Sequence, residues 1–435
     1  MIDRIYKILE KENLFYFQIR EVHLNSYQLF FIRHELDMNR AVDVKEYYVN
    51  IYVKEENGKH EKYGKSSFQL YDSMSDGEIE NKIKEQIKLC QYTLKDPFEF
   101  AKKYVLKDMQ SEPLFDGQNL KDAAIIVADT LFETDKYDRG YINSSEIFIN
   151  HENIIYKDSN KNNYTYFREY GNVEFIVTWV EKEKEIEIYK NIEFNSLDLD
   201  YIKNAANESL KEAIDRIKAV PTPYIEKNVK LLLTQEAVKQ YFGYFMKKCK
   251  AENIYSKSSS YDKGYIIQKG NSANKISLML EPIMASSTLG MPFDEEGTVL
   301  KKLSIIEDGV VKNIWGGREA SQRLNYPSNG LYQNYVAKLG TLKDEDLEDE
   351  DYVEVAAFSG FSIDNITGDF CSEIRLGYYH LKHEKDPIII TSGSVSGCVN
   401  DSLDSVLFSS ERKKQNNFDG PKSVLLDHVK FMRGN

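Results

Sequence analysis

Apolar and polar positions alternate over Tyr47 to Val53 and again over Ser66 to Leu70, the pattern of two half-buried strands, and Asn57-Gly58 between them suits a tight hairpin turn. The period then lengthens. Ile79, Ile83 and Ile87 recur every four residues, one stripe of a helix, and Ser75 with Glu78 has capping-box spacing at its start. The same text returns later: Val173, Phe175, Val177 and Trp179 alternate, a charged turn occupies Glu181 to Glu185, and Ile186 to Phe194 runs back. From about Asp198 a second helix is predicted to bury Ile202, Ala206, Leu210, Ala213, Ile214 and Ile217. Two hairpin-plus-helix units about 125 residues apart predict an α+β domain in which helices cover one face of an antiparallel sheet.

Pro221-Thr-Pro223 breaks the pattern, since prolines two apart disfavour helix and stiffen the chain. The expected organisation is an N-terminal α+β domain at 1–220 (units about 1–115 and 116–220), a linker at 221–224 and a C-terminal domain at 225–435. After the linker, Leu231 to Cys249 reads as a helix with Leu231, Leu232, Ala237, Tyr241 and Phe245 on its apolar face. Beyond it short strands and turns predominate. Asp308-Gly309 between Ile305-Ile306 and Val310-Val311 is a hairpin signal, and glycine-bounded β-rich text through Gly340, Gly360, Gly377, Gly393 and Gly397 predicts a mostly-β sandwich or barrel-like fold.

Of 435 residues, 41% are hydrophobic and 29% charged, which excludes disordered, collagen-like and disulfide-scaffold classes. The charge balance, 57 basic against 70 acidic residues, gives −13, which disfavours extended contact with nucleic acid or anionic membrane. The first twenty residues are charged every few positions, unlike a signal peptide, and no window approaches ~18 uncharged apolar residues, so a cytoplasmic protein is expected. Cys90, Cys249, Cys371 and Cys398 lack CxxC spacing and read as reduced, buried thiols.

Chemistry is sparse. The close histidine pair His380 and His383, followed by Glu384, matches neither HExxH nor HxxEH, and it lies in strand-like text where residues three apart point to opposite faces. No GxSxG elbow, GxGxxG or GxxxxGK[ST] occurs. The acidic run Lys343 to Asp351 lacks the glycine and ligand spacing of an EF-hand and reads as an exposed loop.

Two C-terminal phrases carry more. The first is Met291-Pro-Phe-Asp-Glu-Glu-Gly-Thr298, in which Pro292 and Phe293 lead into Asp294, Glu296 and Gly297, a carboxylate that can hold backbone amides before a glycine that can take positive φ. The second is Gly360-Phe-Ser-Ile-Asp-Asn-Ile-Thr-Gly-Asp-Phe370, in which Asp364, Thr367, Gly368 and Asp369 read as a turn and Phe370 as its core anchor. In order and spacing these phrases resemble the TldD/TldE (PmbA) family, older name modulator of DNA gyrase, across roughly 225–410, with Asp364 where the family has asparagine and Cys371 where it has serine.

The resemblance implies more than the residues alone. TldD-type chains carry an HExxxH helix that, with a later cysteine, holds a catalytic metal; TldE-type chains lack it and pair with them. Here the corresponding helix has no histidine between Leu231 and Lys250, and Gly243, Tyr244 and Lys247 stand about where the metal motif falls. The resemblance therefore implies a non-catalytic TldE-like subunit of a metallopeptidase that cleaves short or unfolded peptides. It would carry no cofactor of its own, with zinc only in a TldD-like partner, and would touch neither nucleic acid nor membrane directly. The partner would be that peptidase in a heterodimer, or a second copy in a homodimer. The other readings open at this point are a metal-independent hydrolase in its own right and a homodimeric peptide-binding scaffold.

Overall fold

The computed structural model describes residues 1–12, 14–57, 60–106, 115, 117–270 and 274–434. Six strands, β1 (Tyr16–Ile32), β2 (Glu35–Asn57), β3 (His60–Leu70), β4 (Gly140–Asp158), β5 (Asn163–Glu181) and β6 (Lys184–Phe194), form one antiparallel sheet in the order β3-β2-β1-β4-β5-β6. Four helices flank them: α1 (Ile2–Lys11), α2 (Asp76–Cys90), α3 (Leu120–Phe132) and α4 (Leu199–Lys218). Each half of the sheet is thus helix, three-strand meander, helix, and the halves join where β1 pairs with β4. The repeat read from the sequence is present and larger than its hairpin-plus-helix outline. Of the expected Asn57-Gly58 turn, Gly58 lies outside the described residues; the strands beside it pair from Tyr47↔Leu70 to Asn57↔His60.

Alternation divides the sheet into two unlike faces. Phe17, Ile19, Val49, Ile51, Ile147, Ile149, Val173, Phe175 and Val177 are buried beneath the helices. Their neighbours Gln18, Arg20, Asn50, Tyr156, Tyr164 and Tyr166 project from the opposite face, toward the C-terminal half. Helix α2 begins with the expected reciprocal cap, Ser75 and Glu78 each bonding the other's backbone N–H, and Asp198 caps α4. Ile214 is only partly buried, unlike Ile202, Ala206, Leu210, Ala213 and Ile217.

The remaining strands are β7 (Val220–Pro221), β8 (Lys230–Thr234), β9 (Leu278–Glu281), β10 (Leu303–Glu307), β11 (Val310–Val311), β12 (Asn334–Ala337), β13 (Tyr352–Phe358), β14 (Asp369–His380), β15 (Ile388–Thr391), β16 (Ser394–Cys398), β17 (Leu407–Phe408), β18 (Arg412–Gln415), β19 (Phe418–Pro421), β20 (Ser423–Leu426) and β21 (Lys430–Met432). They make two mixed sheets, β11-β10-β9-β12-β19-β18 and β17-β20-β8-β13-β14-β15-β7, with β16 pairing with β14 and β21 with β16. Helix α5 (Glu236–Lys248) shares one core with both sheets: Tyr241, Phe242 and Phe245 are fully buried with Leu231 and Val353 of one sheet and Leu280 and Ile305 of the other. Short helices α6 (Ala251–Tyr255) and α7 (Arg318–Arg323) follow.

Two expectations are corrected. The segment Leu231 to Cys249 is not one helix: Lys230–Thr234 is a strand between β13 and β20, and the helix starts only at Glu236. A strand buried on both faces presents a continuous apolar run, Leu231-Leu232-Leu233, which periodicity does not separate from helix. The break between them is Gln235, at φ 50. Nor is Cys371 a buried thiol: Phe370 and Ser372 point inward on β14, so Cys371 faces outward, and Cys398 is half-buried. The Asp308-Gly309 hairpin is formed as expected, with φ of 46 and 77 and Glu307 opposite Val310. No helix among the described residues is long and apolar enough to cross a membrane.

Candidate functional site

The PFDEEG phrase is where the two halves meet. Asp294 is buried and its carboxylate accepts from the backbone N–H groups of Glu296 at 3.0 Å, Thr298 at 2.8 Å and Leu331 at 2.9 Å. Gly297 takes φ 74. Phe293, fully buried, lies against Tyr164 and Tyr156 of the N-terminal sheet, ring centroids 5.2 and 6.1 Å away. The turn is a plug, held also by the Gln18 amide donating to the Glu295 carbonyl at 3.0 Å. The tyrosines it meets form a network: Tyr16 donates to Asp158 at 2.9 Å and its hydroxyl is 3.3 Å from that of Tyr156.

Two carboxyls of the plug are displaced in acidity. Burial pushes Asp294 upward, opposed by its three backbone hydrogen bonds and by Arg318. Burial pushes Glu296 up to about 7, opposed by the Arg318 backbone N–H donating at 2.7 Å and reinforced by the charge of Asp294.

The NITGDF phrase forms a separate turn. The Asp364 carboxylate accepts from the backbone N–H groups of Ile366 and Thr367, both at 2.8 Å, which holds its acidity below the usual carboxylate range. Gly368 has φ 84, and Phe370 anchors the turn in the core at 4% exposure, whereas Asp369 is exposed. The end of α5 pins it: the buried Lys248 ammonium donates to the carbonyls of Asn365 at 3.1 Å and Ile366 at 3.4 Å.

Helix α5 therefore lies between the two motifs, and the structure does not bring PFDEEG and NITGDF together. Of the three metal-motif positions, Tyr244 is buried on the NITGDF side, where its hydroxyl hydrogen-bonds Asn400 and borders Gly368. Gly243 and Lys247 instead line a cleft of about 510 Å³ between the halves, with Phe293 and Asp294 of the plug, Trp315, and Arg20 from β1. A second hollow of about 430 Å³ on the polar sheet face shares Arg20 and Glu295 with it, so the two adjoin across these side chains beside the plug. Arg20, Lys250, Trp315 and Glu295 were not marked by sequence reasoning. A basic residue directly after the buried Ile19 of β1 was the available signal for Arg20.

The donor set at these positions does not fit a divalent cation. Gly243 has no donor atom, the Tyr244 hydroxyl is turned to the other flank, and a protonated Lys247 has no free lone pair. Among the described residues, no group of three His, Cys, Asp or Glu side chains is arranged to hold a metal. His380 stacks on Tyr352, centroids 4.3 Å apart, and His383 sits at φ 69 just past the end of β14.

Comparison with known proteins bears on the same half. Residues 226–433 match the family described as the PmbA/TldA metallopeptidase C-terminal domain. No curated protein sequence matches the chain. The fold is similar to TldE from Thermococcus kodakarensis, 14% identical over 99% of each chain, with a TM-score of 0.77. It is also similar to two proteins described as proposed modulators of DNA gyrase. That from Thermotoga maritima is 17% identical over 99% of this chain and 98% of that one, TM-score 0.75. That from Bacteroides thetaiotaomicron is 17% identical over the same shares, TM-score 0.79. At these identities the likeness is one of fold.

Proposed function

This chain belongs to the TldD/TldE (PmbA) family, and from that premise we propose that it is the non-catalytic, TldE-like subunit of a cytoplasmic metallopeptidase acting on short or unfolded peptides. One observation carries the reading: the α5 positions that would offer imidazoles present Gly243, Tyr244 and Lys247, and two of them face the cleft as a bare backbone and an ammonium. A TldD-like partner would supply the zinc and the hydrolytic water. This chain's part is to hold an extended peptide between the polar sheet face and the PFDEEG plug, keep bulk water from it and present it to the partner. Two adjoining hollows of about 510 and 430 Å³ beside the plug suit a short extended segment and are too small for a folded domain.

Co-expression with an HExxxH-bearing chain from the same host tests this. The expected outcome is a stable heterodimer in which zinc and peptidase activity track with the HExxxH chain and vanish when its histidines are replaced. Stoichiometric zinc and peptide cleavage by the purified chain alone would overturn the reading.

A further inference from the structure

The cleft that replaces a metal-binding helix face is cationic. Arg20 reaches it from the sheet, and Lys239, Lys247 and Lys250 from α5 and its end. In a protein of net charge −13 such a convergence stands against the average surface. Carboxylates elsewhere neutralise many of the basic side chains, but Arg20, Lys247 and Lys250 form no ion pair among the described residues. Arg20 rests over the Tyr48 ring at 5.0 Å and Lys250 over Trp315 at 5.2 Å, contacts that orient a cation without cancelling its charge. Lys239 meets only Glu236, one turn away at 3.6 Å.

Beside these cations the lining is largely apolar and aromatic, with Met246, Met291, Phe293, Trp315 and Tyr332, and it includes the amides of Gln240, Gln333 and Asn417. Cations set among methionine and aromatic side chains, in about 510 Å³, have the character of a site for a small amphipathic anion. Two carboxylates line the same cleft: Asp294, buried and turned onto three backbone N–H groups, and the exposed Glu295, so its four basic side chains outnumber its carboxylates two to one.

We propose that this cleft binds the carboxylate of a short peptide, with Arg20, Lys247 and Lys250 as the cations that recognise it and the Trp315 and Met291 surface receiving the adjoining apolar side chain. Planar carboxylate suits the guanidinium fork of Arg20 in a way a bulk anion does not. Two sources share this chemistry, the free C-terminus of a peptide and an Asp or Glu side chain. The assignment rests on the peptide-handling reading above and names the chemical feature of the peptide that this subunit selects.

Binding of fluorescent pentapeptides to the purified full chain, followed by anisotropy, tests it without the partner. The probes are an apolar pentapeptide as free acid, the same peptide C-terminally amidated, and an amidated peptide carrying one internal Glu. Binding of the free acid at least about tenfold tighter than its amide, weakening with added salt, is expected. Preference for the internal-Glu peptide over the plain amide assigns the side chain as the source; loss in both amidated probes assigns the terminus. Lys247 is exposed on α5, so Lys247→Ala keeps the fold and is expected to lower affinity about tenfold. Arg20→Gln is expected to do the same, while Lys338→Ala, just past β12 and outside the cleft, where it pairs with Asp308, changes nothing. Equal binding of acid and amide, indifference to Lys247→Ala and Arg20→Gln, or equal displacement by inorganic phosphate at matched ionic strength would overturn the proposal. Because no partner is present, failure to find a TldD-like chain does not disturb this result, and failure here leaves the heterodimer test standing.

Discussion

Gly297 shows how closely one residue is constrained by its neighbours across the joint. It sits at φ 74, and a Cβ there would lie 2.4 Å from the Tyr156 hydroxyl, which is held in the Tyr16–Asp158 network and cannot withdraw cheaply. Gly297→Ala is expected to destabilise by about 2–4 kcal/mol, combining backbone strain with overpacking, and thermal unfolding monitored by circular dichroism measures it. A glycine after paired carboxylates was legible in the sequence as a turn. What the turn is plugged into was not, because Tyr156 and Tyr164 are distant in sequence and read as ordinary strand residues. The same holds for Arg20, whose meaning depends on an α5 more than two hundred residues away.

Elements were legible where local chemistry dictated them. The Ser75 cap, the Asp198 cap and the Asp308-Gly309 turn each depend on residues within a few positions, and each is present. The long central strands β1 and β4 went unread, since they run under different helices along their length and carry polar side chains on the face toward the C-terminal half. Strand β8 was read as helix because its burial on both faces is a property of its neighbours, β13 and β20. Helix α5 acts as a beam with one load at its end, the NITGDF turn hung from Lys248. Lys248→Ala removes both hydrogen bonds to that turn and the contacts of its ammonium with Tyr244 and Tyr261. The expected cost is about 2 kcal/mol, with faster amide exchange across residues 364–369 and little change in α2, read by hydrogen-exchange mass spectrometry.

For the whole molecule, the joint makes stability depend on pH. The Glu296 carboxyl rises from 4.5 to about 7 on folding, so the folded state binds the extra proton between those values. Its contribution is complete below about pH 4.5 and is lost as pH rises through 7, by up to about 3 kcal/mol. Asp294, raised by the same burial, acts in the same sense. Glu296→Gln, which keeps an acceptor for the Arg318 N–H, is expected to flatten the dependence of Tm on pH between 4.5 and 7 and to melt above the parent at pH 8.

The two halves also trade parts. Val220 and Pro221 leave the first half to pair in parallel with Ile390 and Thr391, and Thr222 bonds on to Thr391, while Phe293 is lent in the other direction to the tyrosines of the first sheet. Severing the backbone at the exposed Tyr224 would therefore leave two fragments that stay clasped, each still wearing a piece cut to fit the other.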